Sequence, residues 1–137
     1  MGRKKAQALL FALFLLTLAG TLAGALAMLW TNEISIRSLD RESLSAFYLA
    51  QAGIEMAKIE ARTGSTTAPD WSSERSLAGG RYYFYIEDAG ANQRLLRSIG
   101  QRLSSSGNLI AERRIEVVVQ GIGAPPESQV SGSWREI

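Results

Sequence analysis

The chain begins with a long uninterrupted apolar segment. Residues 6–31 contain no charged side chain and are rich in Leu, Ala and Phe. As an α-helix with a rise of about 1.5 Å per residue, this segment would span roughly 38 Å, more than the hydrocarbon thickness of about 30 Å in a bilayer. A cleavable secretory signal has a shorter apolar stretch, of about 7–15 residues. The pattern therefore predicts that residues 7–31 form the transmembrane half of a helix.

An amphipathic segment, residues 32–62, follows without a break. It contains no Pro and a single Gly, and acidic and basic side chains alternate along it. Its apolar side chains recur at steps of three and four, the spacing of one helix face. These side chains are Phe47, Ala50, Ile54, Ala57 and Ala61. We expect one continuous helix over residues 7–62, with a small-residue face that allows another layer to approach closely.

Residues 63–80 have the composition of a loop, because Gly, Ser and Thr are frequent there and Pro69 disfavours a helix. From residue 81 the apolar pattern changes to a period of two, which is typical of strands. The predicted strands cover residues 81–88, 94–104 and 109–120, with turns at 88–92 and 104–108, and the tail returns as a fourth strand at 133–137.

The middle strand is the ambiguous one. Leu95, Ile99 and Leu103 are four residues apart, as on a helix, but Gly100 and the flanking turns favour a strand. Three strands with one apolar face need a covering layer, and the alanine-rich helix face can supply it. The predicted fold class is α+β. A long N-terminal helix, transmembrane and then amphipathic, packs against a small three- to four-stranded antiparallel sheet formed by residues 81–137.

The distribution of charge sets the predicted orientation and argues against nucleic acid as a partner. Arg3, Lys4 and Lys5 precede the apolar segment, so the N-terminus should stay cytoplasmic and the C-terminal domain should be extracytoplasmic. The remaining 12 basic and 13 acidic residues are interspersed. A phosphate-binding surface needs clustered basic residues, so we expect membrane association but no nucleic-acid binding.

The residue types that usually carry chemistry are scarce. The chain has no Cys and no His, which excludes thiolate and imidazole catalysis and the usual zinc sites. The acidic residues Glu87, Asp88, Glu112 and Glu116 do not have the spacing of a calcium loop. The sequence therefore predicts no catalytic residue, no metal and no cofactor, and a protein that is not an enzyme.

Two further motifs each allow two interpretations. Gly20 and Gly24 form a Gly-x-x-x-Gly pair that would let another membrane helix approach closely, although Gly is frequent in such helices anyway. The aromatic run 82–85 would suit a stacking platform for sugar or nucleic acid. For this run we favour a strand whose two faces are both covered.

Several segments together resemble a type IV pilin. The sequence Arg3-Lys-Lys-Ala6, followed by Gln7-Ala-Leu-Leu10, is similar to a short prepilin leader and the start of a mature pilin. The sequence Ala46-Phe-Tyr-Leu-Ala-Gln-Ala-Gly-Ile-Glu-Met-Ala57 resembles the signature of PilX-type minor pilins. Residues 112–119 and 133–137 also look like late segments of that group.

This resemblance implies a maturation and assembly route. Residues 1–6 would be a leader, which a prepilin peptidase removes between Ala6 and Gln7 before the new N-terminus is methylated. The subunit would reside in the inner membrane and then enter a pilus or pseudopilus. Its partners would be other pilins or pseudopilins and the inner-membrane assembly platform.

The sequence departs from the family pattern at two positions. Ala6 stands where pilin leaders usually end in Gly, and Phe11 stands where major pilins carry a Glu at the fifth mature residue. The missing carboxylate predicts a minor subunit, initiating or tip-proximal, and not a repeating shaft subunit. A pseudopilin of type II secretion, or an uncleaved single-pass protein with an extracytoplasmic scaffold or sensor domain, would also fit the sequence.

Overall fold

The computed structural model describes residues 2–90, 92–123 and 127–137, and for residues 2–6 it describes the backbone alone. The chain divides between Ser38 and Leu39 into two compact units. Its elements are α1 (Gly2–Arg62), β1 (Arg75–Leu77), β2 (Gly80–Gly90), β3 (Gln93–Leu103), β4 (Leu109–Gln120), β5 (Ser128–Gln129) and β6 (Arg135–Glu136).

The predicted helix is confirmed, and it is longer at its N-terminal end than predicted. It begins at Gly2 instead of residue 7. The predicted start was the proposed cleavage point, which is not a helix signal, and residues 3–6 contain neither Pro nor Gly to prevent helix formation. In the first unit, every residue from Gln7 to Ser38 is exposed.

The helix ends through a glycine in the left-handed conformation. Gly64 has a φ of 78°, and its N–H donates to the carbonyl of Ala61 at 3.0 Å. The Thr63 hydroxyl donates to the carbonyl of Glu60 at 2.7 Å. A residue in this conformation commonly follows the last helical turn, where it turns the chain and pairs carbonyls that would otherwise lack partners. Gly64 is therefore the reason that the loop starts here.

The predicted antiparallel meander is confirmed, and the ambiguous segment 94–104 is a strand. The sheet order is β1-β2-β3-β4-β5, and β6 also pairs with β4 as the predicted returning tail. The sheet has six strands where three or four were predicted, because β1 and β5 are only three and two residues long. The first of these lies inside the predicted loop 63–80. The predicted turn at 88–92 includes Ala91, and the strand-ending prolines Pro125 and Pro126 follow β4; all three lie outside the described residues.

Both edges of the long strands are covered by segments that pair through backbone groups and, at some positions, through serine hydroxyl groups. Along β2, the Ser72 N–H donates to the Phe84 carbonyl at 2.8 Å, and the Phe84 N–H donates to Ser72 Oγ at 3.0 Å. Along β4, the Val118 N–H donates to Ser133 Oγ at 3.1 Å. An uncovered strand edge is a site for unwanted pairing. The loop and the tail therefore protect the sheet.

The core of the second unit lies between one face of α1 and one face of the sheet. The alternation along β2 is as predicted, with Tyr82, Phe84 and Ile86 buried toward the helix. Leu96 of β3 and alternate residues of β4 complete the sheet side. The helix contributes Leu49, Ala50, Ile54, Ala57 and Ala61.

Two glycines allow the helix and the sheet to approach unusually closely. A Cβ added to Gly100 would lie 2.2 Å from the carbonyl oxygen of Ala46 and 2.3 Å from the nitrogen of Ala50. A Cβ added to Gly53 would lie 2.0 Å from the hydroxyl oxygen of Ser98. Backbone therefore rests almost directly on backbone at Gly100, and this contact fixes the register of the helix on the sheet.

Candidate functional site

The first candidate surface is the apolar side of α1 in the first unit. The helix is long and apolar enough to cross a membrane, and none of its most apolar window is buried. Leu9, Phe11, Leu16, Met28 and Trp30 are among its exposed side chains. Exposed apolar surface of this extent is not expected to stay in water. By length and composition, this part of α1 is a candidate membrane span.

The Gly-x-x-x-Gly pair is open to a neighbour on this surface. A Cβ added to Gly20 or Gly24 would meet no atom within 4 Å. The nearby hydroxyls are internally paired, since Thr17 donates to the Phe14 carbonyl and Thr21 to the Leu18 carbonyl, both at 2.8 Å. Such pairing lowers the cost of placing a hydroxyl in an apolar environment. This stretch therefore presents a nonpolar surface with open space beside Gly20 and Gly24.

The predicted cleavage site lies near the start of the helix. Ala6 and Gln7 are both within α1, and Gln7 is exposed. The side chain of Ala6 lies outside the described residues, as do those of the basic residues before it. Because a peptidase must bind an extended or locally unwound strand, cleavage here would require local opening of the first helical turns.

The five predicted helix-packing residues of the second unit lie on one side of α1. Ala50, Ile54, Ala57 and Ala61 are buried in the core, and Phe47 packs against it with partial exposure. The ring of Phe47 also meets that of Trp134 edge-to-face, with 6.0 Å between centroids. This face of α1 is thus covered by the chain's own sheet.

Sequence reasoning missed the members of this contact that matter most for its geometry. Ala46 and Leu49 are buried beside the predicted residues, and Gly53 and Gly100 set the close approach. A signal for both glycines was present. A lone Gly inside a helix and a Gly inside a strand each suggest a close approach of another backbone.

The second candidate surface is the face of the sheet that points away from α1. Tyr83 and Tyr85 lie there half-buried, as the alternation predicts. The guanidinium of Arg81 stands 5.9 Å from the centroid of the Tyr83 ring, and that of Arg97 stands 5.7 Å from the Tyr85 ring. The rings are thus covered by arginines of the same sheet, an arrangement that stabilises the face and leaves them less open to stacking with a ligand.

A buried carboxylate organises the same face. Glu116 is 7% exposed and accepts a hydrogen bond from Nε of Arg97 at 2.6 Å and one from Nε of Arg135 at 2.8 Å. Burial alone raises the pKa of Glu116, but hydrogen bonds and charges from the two arginines outweigh it, so its pKa lies below the usual value. The pair with Arg135 also holds the tail strand β6 against β4.

We expect Glu116 to make the domain sensitive to acid. A carboxylate whose pKa is depressed by folding stabilises the fold above its unfolded pKa, near 4.5, and this contribution is lost as the pH falls through the folded pKa. Glu116→Gln should lower the free energy of unfolding by about 1–3 kcal/mol at pH 7. It should also reduce the further loss on going from pH 5 to about pH 3. Unfolding curves at several pH values measure both effects.

Glu55→Gln is the matched control for this experiment. The Glu55 side chain is 67% exposed and pairs only with Lys58 among the described residues. Exposed pairs contribute little to stability, so this variant should follow the wild type at every pH. Identical acid profiles for Glu116→Gln and the wild type would show that the buried carboxylate does not stabilise the tail.

Two shallow grooves run between α1 and the C-terminal tail. One, of about 300 Å³, is lined by Leu44, Phe47 and Arg113, and the other, of about 260 Å³, by Ile54, Val117 and Trp134, each with neighbouring polar residues. These volumes lie at or below the lower end of the range for small-molecule sites. Within the described parts of the chain, no group of three acidic side chains is placed to hold a metal ion.

No protein-family model matches the chain, and neither a curated protein nor a solved structure is significantly similar to it. The inference of function therefore rests on two features of this chain and not on relatives. They are a candidate membrane span and an antiparallel sheet packed on the later part of the same helix.

Proposed function

We propose that this protein is a structural minor subunit of a type IV pilus-like filament, anchored in the cytoplasmic membrane by its N-terminal helix. The observation that carries the proposal is the division of α1 into two kinds of surface. Residues 7–38 expose their side chains. The later residues bury a small-residue face under the sheet. One helix thus combines an anchor with the support of an extracytoplasmic domain.

The exposed part of the helix gives the subunit a route into a filament. In the bilayer, side chains such as Leu16 and Leu22 face lipid tails, and on assembly they face the helices of neighbouring pilins. Both environments are apolar, so the transfer of these side chains changes the hydrophobic free energy little. Close packing between helices therefore determines whether the helix associates with its neighbours. Gly20 and Gly24 favour such packing because nothing of the chain itself occupies the space beside them. The inner-membrane assembly platform would drive the transfer.

Phe11 supports a minor role. An isolated carboxylate in the apolar segment would need a partner, because burying an unpaired charge is costly. This chain places an exposed aromatic ring at that position instead. It therefore enters the membrane without a charge that needs a neighbour, but it also lacks the carboxylate that would register it in a repeating shaft. An initiating or tip-proximal position suits such a subunit, in a pilus or in a type II secretion pseudopilus.

Processing tests this proposal. In cells with an active prepilin peptidase, we expect the membrane-extracted protein to begin at Gln7, and intact-mass measurement with N-terminal sequencing reads this directly. Ala6→Asp places a charge at the bond to be cut and should abolish maturation while leaving membrane insertion intact. Ala6→Gly is the matched control, since it introduces the residue that pilin leaders usually carry, and it should be processed at least as well as the wild type.

The same experiment separates the alternative function. An uncleaved single-pass scaffold or sensor would keep residues 2–6 in the mature protein, whether or not the peptidase is active. Normal processing of Ala6→Asp would place the cut at another bond. Retention of the basic residues in the presence of the peptidase would reject the filament subunit.

A further inference from the structure

Exposed apolar side chains gather at one end of the sheet domain. Leu77 pairs with Gly80 at the end of β1, and Leu103 pairs with Leu109 where β3 meets β4, so these positions share one end of the antiparallel sheet. Leu77 is 49% exposed, Leu109 53% and Ile110 41%. At the opposite end of the long strands, no large apolar side chain of a described strand residue is exposed to this extent, although Ile59 on the last turns of α1 is 52% exposed.

The helix enters the second unit at this same end. Nε of Arg102 donates to the Glu42 carboxylate at 2.8 Å, and Nε of Arg113 donates to the Ser43 hydroxyl at 2.9 Å. Leu39, one helical turn earlier, is 61% exposed. Leu39, Leu77, Leu109 and Ile110 therefore form one apolar rim, which we call the entry rim.

We propose that the entry rim rests on the lipid surface of the membrane that anchors the chain. This inference depends on the membrane anchorage of the proposed function, but not on cleavage or filament assembly. Only eight residues lead from Thr31, the last residue of the uncharged segment, to Leu39. Eight residues reach at most about 29 Å when fully extended, so an anchored helix keeps the rim near the bilayer at all times.

The charges around the entry rim favour lipid over a charged protein partner. Arg102 pairs with Glu42 at 2.8 Å, and Arg114 pairs with Glu112 at 2.7 Å. The hairpin between Leu103 and Leu109 carries hydroxyl groups, of which Ser104 and Ser106 bond to each other at 2.7 Å. Asp40 and Arg41, which follow Leu39, are exposed and of opposite sign, so the charges around the rim cancel. Apolar side chains beside hydroxyls and charges that cancel suit the headgroup boundary of a bilayer. Docking should therefore need no anionic lipid.

The natural absence of Cys allows a direct test with a single label. Full-length Leu109→Cys, labelled with the polarity-sensitive fluorophore NBD, is reconstituted into phosphatidylcholine vesicles with or without doxyl-labelled phosphatidylcholine. We expect a shift of emission to shorter wavelength and a loss of intensity with the doxyl lipid. Addition of phosphatidylglycerol should change neither. Ser65→Cys, at an exposed position beyond the other end of the helix, is the control and should report water in all vesicles.

A second variant tests the rim as a surface. An NBD label at Leu77→Cys should be quenched by the doxyl lipid, and this quenching should be lost when Leu109 and Ile110 are both replaced by Glu. Positions 109 and 110 are exposed enough for the domain to remain folded after these two substitutions. Equal, unquenched signals at Leu109 and Ser65 in floated vesicles would overturn the inference while leaving the anchor intact. A Leu109 response that grows with the protein-to-lipid ratio but is not quenched would assign the rim to a second copy and also overturn it. Failure of the chain to float with vesicles would reject the anchor, and the docking with it.

Discussion

Gly100→Ala is expected to destabilise the sheet domain by more than about 3 kcal/mol, enough to prevent stable folding. The new methyl group would stand 2.2 Å from the Ala46 carbonyl oxygen and 2.3 Å from the Ala50 nitrogen. Both atoms belong to the helix backbone, so neither can rotate away. The helix would have to move off the sheet, and the close-packed core would lose contacts along its length.

The measurement is thermal unfolding of the full-length chain in detergent, followed by near-UV circular dichroism, to which Trp71 and Trp134 of the domain contribute. Gly24→Ala is the matched control, because a Cβ at that position meets nothing within 4 Å and Gly24 lies in the first unit. That variant should leave the unfolding transition of the domain unchanged. An unaltered transition in Gly100→Ala as well would mean that the helix does not approach the sheet as closely as described.

The same contact shows where sequence reasoning reaches its limit. The helix face was predictable because Ala50, Ile54, Ala57 and Ala61 repeat with the helical period within a single segment. The partner of that face was predictable only as a layer, since no periodicity specifies which strand residue meets which helical turn. Gly100 lies about fifty residues after Ala50, and in the sequence it served only as evidence against a helix. In the structure it allows the backbones of the helix and the strand to come into contact.

The short strands and the buried carboxylate were beyond prediction for a related reason. Strands β1 and β5 have too few residues to display a period of two, and they exist because β2 and β4 offer edges to pair with. Glu116 alternates with apolar neighbours along β4, and a period of two by itself indicates a side chain on the solvent face. It is buried because Arg97 and Arg135 converge on it from two other strands. Each of these features depends on tertiary pairing between distant segments.

Phe84→Ala should be the most damaging truncation of a single side chain in the sheet, with an expected loss of about 3–5 kcal/mol. Phe84 is 0% exposed and lies between α1 and the centre of the sheet, with the Arg75 guanidinium 5.5 Å from its ring centroid. Removing the ring leaves a cavity that the sheet cannot close, because β2 is held in register by its ladder with β3 on one side and by the hydrogen bonds of Ser72 on the other.

The adjacent residue supplies the comparison, because Tyr85 points to the other face of the same strand. Its ring lies half-buried against Trp71, with 5.6 Å between centroids, and under Arg97. Tyr85→Ala should therefore cost clearly less than Phe84→Ala, since the exposed side of that cavity is open to water. Equal losses in urea or thermal unfolding would contradict the two-faced arrangement of β2. A larger loss of unfolding free energy for Tyr85→Ala would place the main core on the outer face of the sheet. Packing against α1 would then contribute little to the stability of the domain.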